Sequence, residues 1–129
     1  ITKVLTAESV MKHSEAVAYL RTDGPRAALR KMRKHNIAHL FVVDHTHRLV
    51  GIVSADSAAI LAQRGEGSLT EAICTDIKTV FPETPAQDLF GIMADLPYPL
   101  AVVDEANKFK GVIVRGTLVA ALAERGGAA

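Results

Sequence analysis

The chain has 129 residues, of which 49% are hydrophobic and only 5% aromatic, with no tryptophan. Its net charge of +1 gives no general attraction to nucleic acid, and its single cysteine excludes an internal disulfide and fits a reducing compartment. No apolar run approaches the roughly 20 residues that a membrane-spanning helix needs. We therefore expect a cytoplasmic globular protein with an aliphatic core, long enough for one domain or two small ones.

Charge is divided unevenly along the chain. Residues 1–66 carry ten Lys/Arg against six Asp/Glu and hold all five histidines, whereas residues 67–129 carry five against eight. The two halves therefore present different surfaces. The chain opens at Ile1 rather than Met, which indicates a piece of a longer protein.

The first half predicts five elements in order. They are a short helix at Ala7–Lys12, a strand at Ala16–Arg21, a helix from Gly24-Pro25, a hairpin over Leu40–Val53 and a helix over Ser54–Leu61. Proline at the first helical position and a serine as N-cap are typical helix starts. The polar turn Asp44–Arg48 between two apolar runs is typical of a β-hairpin.

The second half repeats this order. Between Pro25 and Gly51, a shift of 60 positions gives seven ungapped identities, which include Pro25/Pro85, Leu40/Leu100, Val42-Val43-Asp44/Val102-Val103-Asp104 and Gly51/Gly111. Here the predicted elements are a helix at Leu69–Cys74 with a Ser68/Glu71 capping box, a strand at Ile77–Phe81, a helix from Thr84-Pro85, and a hairpin and helix over Leu100–Leu122. We interpret the recurrence as a duplicated domain, with copies at 1–66 and 67–129.

Each copy is a β-α-β-β-α unit of the α/β (α+β) class. Two helices cannot cover both faces of a three-stranded sheet, so the exposed sheet face needs a partner. We expect the two copies to supply that partner to each other about a pseudo-twofold axis. Such packing would leave two related clefts, each lined by a strand end and by the N-terminus of the closing helix.

These features resemble a tandem pair of CBS (cystathionine-β-synthase) domains, or Bateman module. The resemblance covers nearly the whole chain and is most specific at the two Val-Val-Asp hairpins and the strands that follow them. Within that superfamily the sequence is most similar to the C-terminal regulatory region of the ATP-binding subunit of glycine betaine/proline ABC importers. The supporting stretches are Val4–Met11, Gly24-Pro25-Arg26, Gly51–Ser57, Val102–Glu105 and Gly111–Leu118.

The resemblance implies a non-catalytic regulatory module, at the inner face of the membrane, that senses a ligand or ionic strength. Its implied partners are a second copy of itself, the ABC ATPase domain of the same parent chain and the transporter permease. Adenosine nucleotides or related ligands, cyclic dinucleotides among them, are the candidate ligands. The alternatives are an adenine-nucleotide sensor from another enzyme or a stand-alone protein, and a purely structural dimerisation module.

By resemblance, the ribose is held by a Ser/Thr directly after the Gly-containing strand and by an Asp three positions later. The first copy has Ser54, but its acid comes one position early, at Asp56, and Ser57 stands at the expected position. The second copy has Val114 and Thr117 at these two positions. Ser54 and Asp56 also have a structural interpretation, as an N-cap and a first-turn acid.

Two further residues are cleft candidates. His39 stands at the strand entry where relatives line the cleft, and its alternative is a partly buried polar neighbour. Arg115 is a cation in the first turn of a helix, which is unfavourable unless an anion or a carboxylate accompanies it. A carboxylate of the protein is the expected partner.

Five basic residues share the helix after Gly24-Pro25. They are Arg26, Arg30, Lys31, Arg33 and Lys34. A solvated helix face explains them, and so does an electrostatic patch that meets an anionic lipid surface or an acidic protein in a salt-dependent manner.

The remaining chemistry-bearing residues suggest no enzyme. The pair His45/His47 is expected in an exposed hairpin without a third metal ligand, and Cys74 is expected in the core. The sequence Pro97-Tyr98-Pro99 predicts a rigid, extended connection into the next strand, and Tyr98 is expected at the cleft rim. The chain contains no P-loop motif, so we expect no ATP hydrolysis of that kind and no catalytic residue or metal.

Overall fold

A computed structural model describes residues 5–13 and 16–127. Over this part of the chain the elements are α1 (Ala7–Val10), β1 (Val17–Tyr19), α2 (Pro25–His35), β2 (His39–Val43), β3 (Leu49–Ser54), α3 (Ala55–Gln63), β4 (Thr79–Val80), α4 (Ala86–Met93), β5 (Leu100–Val103), β6 (Phe109–Ile113) and α5 (Arg115–Gly127), with a 3-10 turn at Thr70–Ala72. The order β-α-β-β-α occurs twice. The predicted mixed α/β fold with two small sheets is confirmed.

The described residues form two compact units. The β1–β3 unit consists of residues 16–77 and 106–109, and the β4–β6 unit consists of residues 5–13, 78–105 and 110–127. These units are not continuous segments, because residues 5–13 lie with the second sheet and residues 67–77 lie with the first. The repeat boundaries 1–66 and 67–129 remain a prediction about the sequence duplication.

Each unit is built on a three-stranded sheet. In the β1–β3 unit, β1 runs parallel to β2, and β2 runs antiparallel to β3 with an irregularity between Val42 and Val43. In the β4–β6 unit, β4 runs parallel to β5, and β5 neighbours β6. In each sheet a tight hairpin joins the second strand to the third, β2 to β3 and β5 to β6, as the two Val-Val-Asp turns predict.

The two cores use corresponding positions. Buried residues recur at an offset of 60: Leu40 with Leu100, Val42 with Val102, Val53 with Ile113 and Ala58 with Leu118. The segments that precede the first strand of each repeat, residues 5–13 and 67–77, break this pattern, and we call them the lead-in segments. Ala7 is buried in the core of the β4–β6 unit, and Leu69 is buried in the core of the β1–β3 unit. Each lead-in therefore completes the core of the unit built mainly by the other repeat.

A glycine lets each lead-in segment approach its sheet. In the β1–β3 unit, Ile52 and Cys74 exchange two backbone hydrogen bonds, with N···O distances of 3.0 and 2.8 Å. In the β4–β6 unit, Lys12 and Val112 exchange two of 2.8 and 2.9 Å. A Cβ at Gly51 would meet the carbonyl oxygen of Cys74, and one at Gly111 would lie 2.7 Å from the carbonyl oxygen of Lys12. Only glycine fits at these two positions without a backbone shift.

The aspartate of the first Val-Val-Asp motif organises its hairpin turn. The Asp44 Oδ1 atom accepts hydrogen bonds from Thr46 N (2.8 Å), Thr46 Oγ1 (2.7 Å) and Arg48 N (3.0 Å). These bonds, above all the one from the Thr46 hydroxyl, lower the pKa of Asp44 to about 2. His47 follows in the left-handed region with φ of 66°, and Asn107 takes the same place in the second hairpin with φ of 64°. The motif is thus explained by turn formation.

We predict that Gly51→Ala and Gly111→Ala each reduce the free energy of unfolding by about 1–3 kcal/mol, because the added methyl group must displace backbone. Urea unfolding followed by circular dichroism measures this loss. Gly116→Ala is the control, since nothing lies within 4 Å of a Cβ at that helical position, and its stability should stay unchanged or rise slightly. Equal stability of all three variants would contradict the close approach.

Candidate functional site

The candidate residues of the first repeat gather where β3 passes into α3. Ser54 ends β3 and caps α3, because its Oγ accepts a hydrogen bond from the Ser57 backbone N–H at 3.1 Å. The Ser54 hydroxyl also lies 3.0 Å from the Ser57 hydroxyl and donates to it. The predicted N-cap is confirmed. Both serines are partly buried, so their hydroxyls form a small polar group at the helix start.

His39 joins this group across the sheet. It begins β2, and its Cα pairs directly with that of Ser54 in the antiparallel ladder. The imidazole is partly buried. Asp56 lies exposed in the first turn of α3, and the positive end of the helix dipole stabilises its negative charge there. The structure thus brings His39, Ser54 and Ser57 together at one end of the first sheet, with Asp56 at the rim.

The matching place in the second repeat is chemically different. Val114 stands where Ser54 caps α3, so α5 begins at Arg115 without a side-chain hydroxyl. The Arg115 Nη2 atom donates to the carbonyl oxygens of Met93 (2.6 Å) and Ala94 (3.4 Å) at the end of α4. Within residues 5–13 and 16–127 the partners found for Arg115 are thus main-chain carbonyls and not the expected carboxylate. A cation that binds the last carbonyls of a helix also complements the negative end of its dipole.

A pocket of about 170 Å³ lies beside Arg115 in the β4–β6 unit. Its lining is mainly apolar: Met93, Leu96, Pro97, Tyr98, Pro99, Val114 and Arg115. The sequence placed Tyr98 at a rim but did not indicate the contribution of α4. This volume is below the roughly 300–1,000 Å³ of ordinary ligand pockets, so the pocket alone accommodates only part of a nucleotide. Thr117 is partly buried in the first turn of α5 and is not among its lining residues.

A second pocket, of about 180 Å³, lies in the β1–β3 unit. It is lined by Ser57, Ile60, Leu61, Arg64, Glu71 and Ala72. Arg64 Nη1 and Glu71 Oε2 form an ion pair of 3.3 Å at this pocket. The sequence pattern did not indicate this ion pair, because Ser68 and Glu71 have the spacing of a capping box at the start of the second repeat. The Ser68 hydroxyl instead accepts a hydrogen bond from Thr70 N at 3.2 Å, and the capping box is absent.

The predicted basic residues of α2 divide into two groups. Arg26, Arg30, Arg33 and Lys34 are exposed and follow each other at helical spacing, so they share one face. Lys31 points elsewhere. Its Nζ atom lies 2.7 Å from Asp23 Oδ2 and 2.9 Å from the Val17 carbonyl oxygen, and 4.9 Å from the centre of the Tyr19 ring. Lys31 thus anchors α2 to β1, and the other four form what we call the basic face.

Other chemistry-bearing residues contribute little to a site. Cys74 is exposed, so its predicted core position is wrong; it lies at the edge of the first sheet through its bridge to Ile52. His45 and His47 lie in the first hairpin turn, as expected. Over residues 5–13 and 16–127, no group of three or more His, Cys, Asp or Glu side chains could hold a metal ion. Of the helices described, none combines the length and apolar character needed to span a bilayer.

The duplicated sheets and the hairpin pattern define a class of tandem-repeat domain pair. A CBS domain profile matches residues 7–59 and 69–124, and the chain belongs to the CBS domain family. Its fold is also that of the CBS-pair protein CBSX2 of Arabidopsis thaliana, solved in complex with AMP. That structure superposes with a TM-score of 0.78 at 20% identity, covering 92% of this chain and 96% of the other.

Two relatives are ATP-binding proteins of glycine betaine transport. The chain is 39% identical over 124 residues to the glycine betaine transport ATP-binding protein OpuAA of Bacillus subtilis strain 168, covering 95% of this chain and 29% of OpuAA. It is 38% identical over 120 residues to the glycine betaine/carnitine transport ATP-binding protein GbuA of Listeria monocytogenes, covering 93% and 30%. The match is to the C-terminal region of these relatives, and the chain spans less than a third of their length.

We predict that Arg115→Ala lowers the free energy of unfolding by about 1 kcal/mol, because the end of α4 loses a charged hydrogen-bond donor. Lys110→Ala is the control, since Lys110 makes an exposed ion pair of 3.5 Å with Asp104 in the same unit. Such pairs contribute about 0–1 kcal/mol, and we expect the low end here. Urea titration of both variants checks the difference, and equal losses would contradict a specific role for Arg115.

Proposed function

We propose that the chain is a non-catalytic regulatory module of the ATP-binding subunit of an osmoprotectant importer. The observation that carries this proposal is the 39% identity to OpuAA over 95% of the chain. The similarity thus extends over the whole tandem pair and not over one repeat alone. Its partners would be the ATPase domain of the same parent chain and the transporter permease, and its place the cytoplasmic side of the membrane.

A small ligand is the first candidate signal. The polar group of His39, Ser54 and Ser57 supports this, because hydroxyl and imidazole groups at a helix start suit a ribose or a phosphate. The second repeat lacks the corresponding hydroxyl, since Val114 replaces it. An adenine nucleotide or a cyclic dinucleotide would therefore be held chiefly by the first repeat.

Ionic strength is the second candidate signal. Four exposed cations on the basic face would attract an anionic lipid surface or an acidic protein, and salt would weaken that attraction over a Debye length of about 10 Å at 0.1 M. Either signal would act by changing how two copies of the module pack. The signal shifts the attached pair of ATPase domains toward one of its states only to the extent that it stabilises one packing of the modules more than the other.

An adenine-nucleotide sensor from another parent is the alternative function. The fold match to CBSX2 in complex with AMP favours it, because the same fold there accommodates a nucleotide. A purely structural dimerisation module would bind none of these ligands. A binding screen therefore separates the structural module from a ligand sensor, and a transport measurement on an importer separates the two possible parents of a sensor.

The test is a thermal-shift and calorimetric screen of the chain against AMP, ADP, ATP and cyclic dinucleotides at low and high salt. We expect saturable binding of at least one of them, with a stabilisation of about 2.7 kcal/mol at a ligand concentration of one hundred times Kd. The ligand-induced shift should disappear in Ser54→Ala and Asp56→Ala and persist in the control Thr117→Ala. Absence of binding at millimolar concentration would contradict the small-molecule signal.

A further inference from the structure

The two hairpin turns meet within the β1–β3 unit, which includes residues 106–109. Leu49 N donates a hydrogen bond to the Asn107 carbonyl oxygen, and Phe109 N donates one to the His47 carbonyl oxygen, both at 2.9 Å. The Asn107 side chain adds a bond from its Nδ2 atom to the Leu49 carbonyl oxygen at 3.0 Å. The two segments that follow the turns therefore form a short antiparallel ladder.

Arg48 and Lys108 stand opposite each other at the centre of this ladder. They are partners in an antiparallel bridge, and the hydrogen bonds flank them on both sides. Side chains at such a non-hydrogen-bonded pair share one face, with Cβ atoms about 4.5–5.5 Å apart. The neighbouring Leu49 and Phe109 are buried, so alternation places Arg48 and Lys108 on the exposed face.

The opposition of these two cations follows from the duplication. The offset of 60 that relates the two hairpins also relates Arg48 to Lys108. Each comes directly after a residue in the left-handed region, His47 in one turn and Asn107 in the other. Like charges directly opposite each other on antiparallel strands destabilise the pairing. An anion between the two side chains would replace this repulsion with two attractions.

The aspartates of the two Val-Val-Asp motifs have contacts of their own. The Asp44 Oδ1 atom accepts hydrogen bonds from Thr46 and from the Arg48 backbone N–H. The Asp104 Oδ2 atom lies 3.5 Å from the Lys110 Nζ atom. An anion at the exposed face of the ladder would therefore add to these contacts and would not replace them.

We propose that Arg48 and Lys108 bind a phosphate group. The planar guanidinium group of Arg48 presents two parallel N–H donors to two oxygens of one phosphate, and the Lys108 ammonium group donates to a third oxygen. The two positive charges also match the charge of a phosphate dianion. A carboxylate has one charge and two oxygens, so it would satisfy Arg48 alone. Phosphate is thus the anion whose chemistry fits this pair.

The site would link phosphate binding to the pairing of the two hairpins. One ligand side chain comes from each hairpin, so the bound phosphate favours the state in which the two segments are paired. The polar group at the start of α3 takes no part in it. The inference therefore goes beyond the proposed function and uses different residues.

An NMR titration of the chain tests the site. Amide spectra would be recorded with inorganic phosphate, ATP, acetate or chloride at matched ionic strength. We expect phosphate to give saturable shifts at the amides of Arg48, Leu49, Lys108 and Phe109, with a Kd of about 1 mM for this exposed site. Acetate and chloride should give only small shifts that do not saturate. Saturation of the same amides by ATP alone would assign the phosphate group to a nucleotide.

Arg48→Gln/Lys108→Gln removes both charges and keeps polar side chains at the exposed face. This variant should bind phosphate at least about tenfold more weakly. Without phosphate at low ionic strength, its stability to urea should equal or exceed that of wild type, because the repulsion is gone. The matched control is Arg21→Gln/Lys78→Gln, which removes two exposed cations outside the ladder and should bind phosphate like wild type.

Three results would overturn the inference. They are a lack of saturable shifts, equal responses to phosphate and acetate, and a phosphate response that persists in Arg48→Gln/Lys108→Gln. Saturable shifts centred on Ser54 and Ser57 would place the phosphate at the start of α3. That result would also overturn the inference while it supported the proposed function, so the two claims fail separately.

Discussion

The structure depends on the pairing of a lead-in segment with the edge of each sheet. Two backbone hydrogen bonds join Ile52 to Cys74, and two join Val112 to Lys12. Both pairings need a glycine one residue earlier on the strand, because a side chain there would occupy the space of the carbonyl oxygen opposite. Since each lead-in comes from the other sequence repeat, neither compact unit is complete without residues from both repeats.

Local pattern predicted much of the fold. The offset of 60 and the hairpin motifs gave both β-α-β-β-α units, and the Ser54 cap formed as expected, because these features depend on neighbouring residues. The partners of Arg115, Lys31 and Cys74 could not be predicted. Each of these residues contacts a segment that only the tertiary fold brings near it. The predicted Ser68/Glu71 capping box does not form for the same reason, because Glu71 pairs with Arg64 instead.

The two repeats share a scaffold but differ in chemistry at equivalent places. The Ser54 hydroxyl caps α3, whereas Val114 stands at the corresponding position before α5. The exposed cations of α2 correspond to exposed acidic and aromatic residues around α4. A duplicated module with identical halves would offer the same surface twice. The divergence leaves the start of α3 as the more polar of the two helix starts and α2 as the more basic of the two corresponding helices.

We propose that this module controls an attached transport ATPase. The most direct measurement replaces the C-terminal region of OpuAA with this chain and follows glycine betaine uptake into vesicles as the internal ionic strength or the identified ligand is varied. The account predicts that uptake responds to the signal in the chimera and loses that response in a transporter truncated before the module. Identical uptake curves for the chimera and the truncated transporter would contradict it.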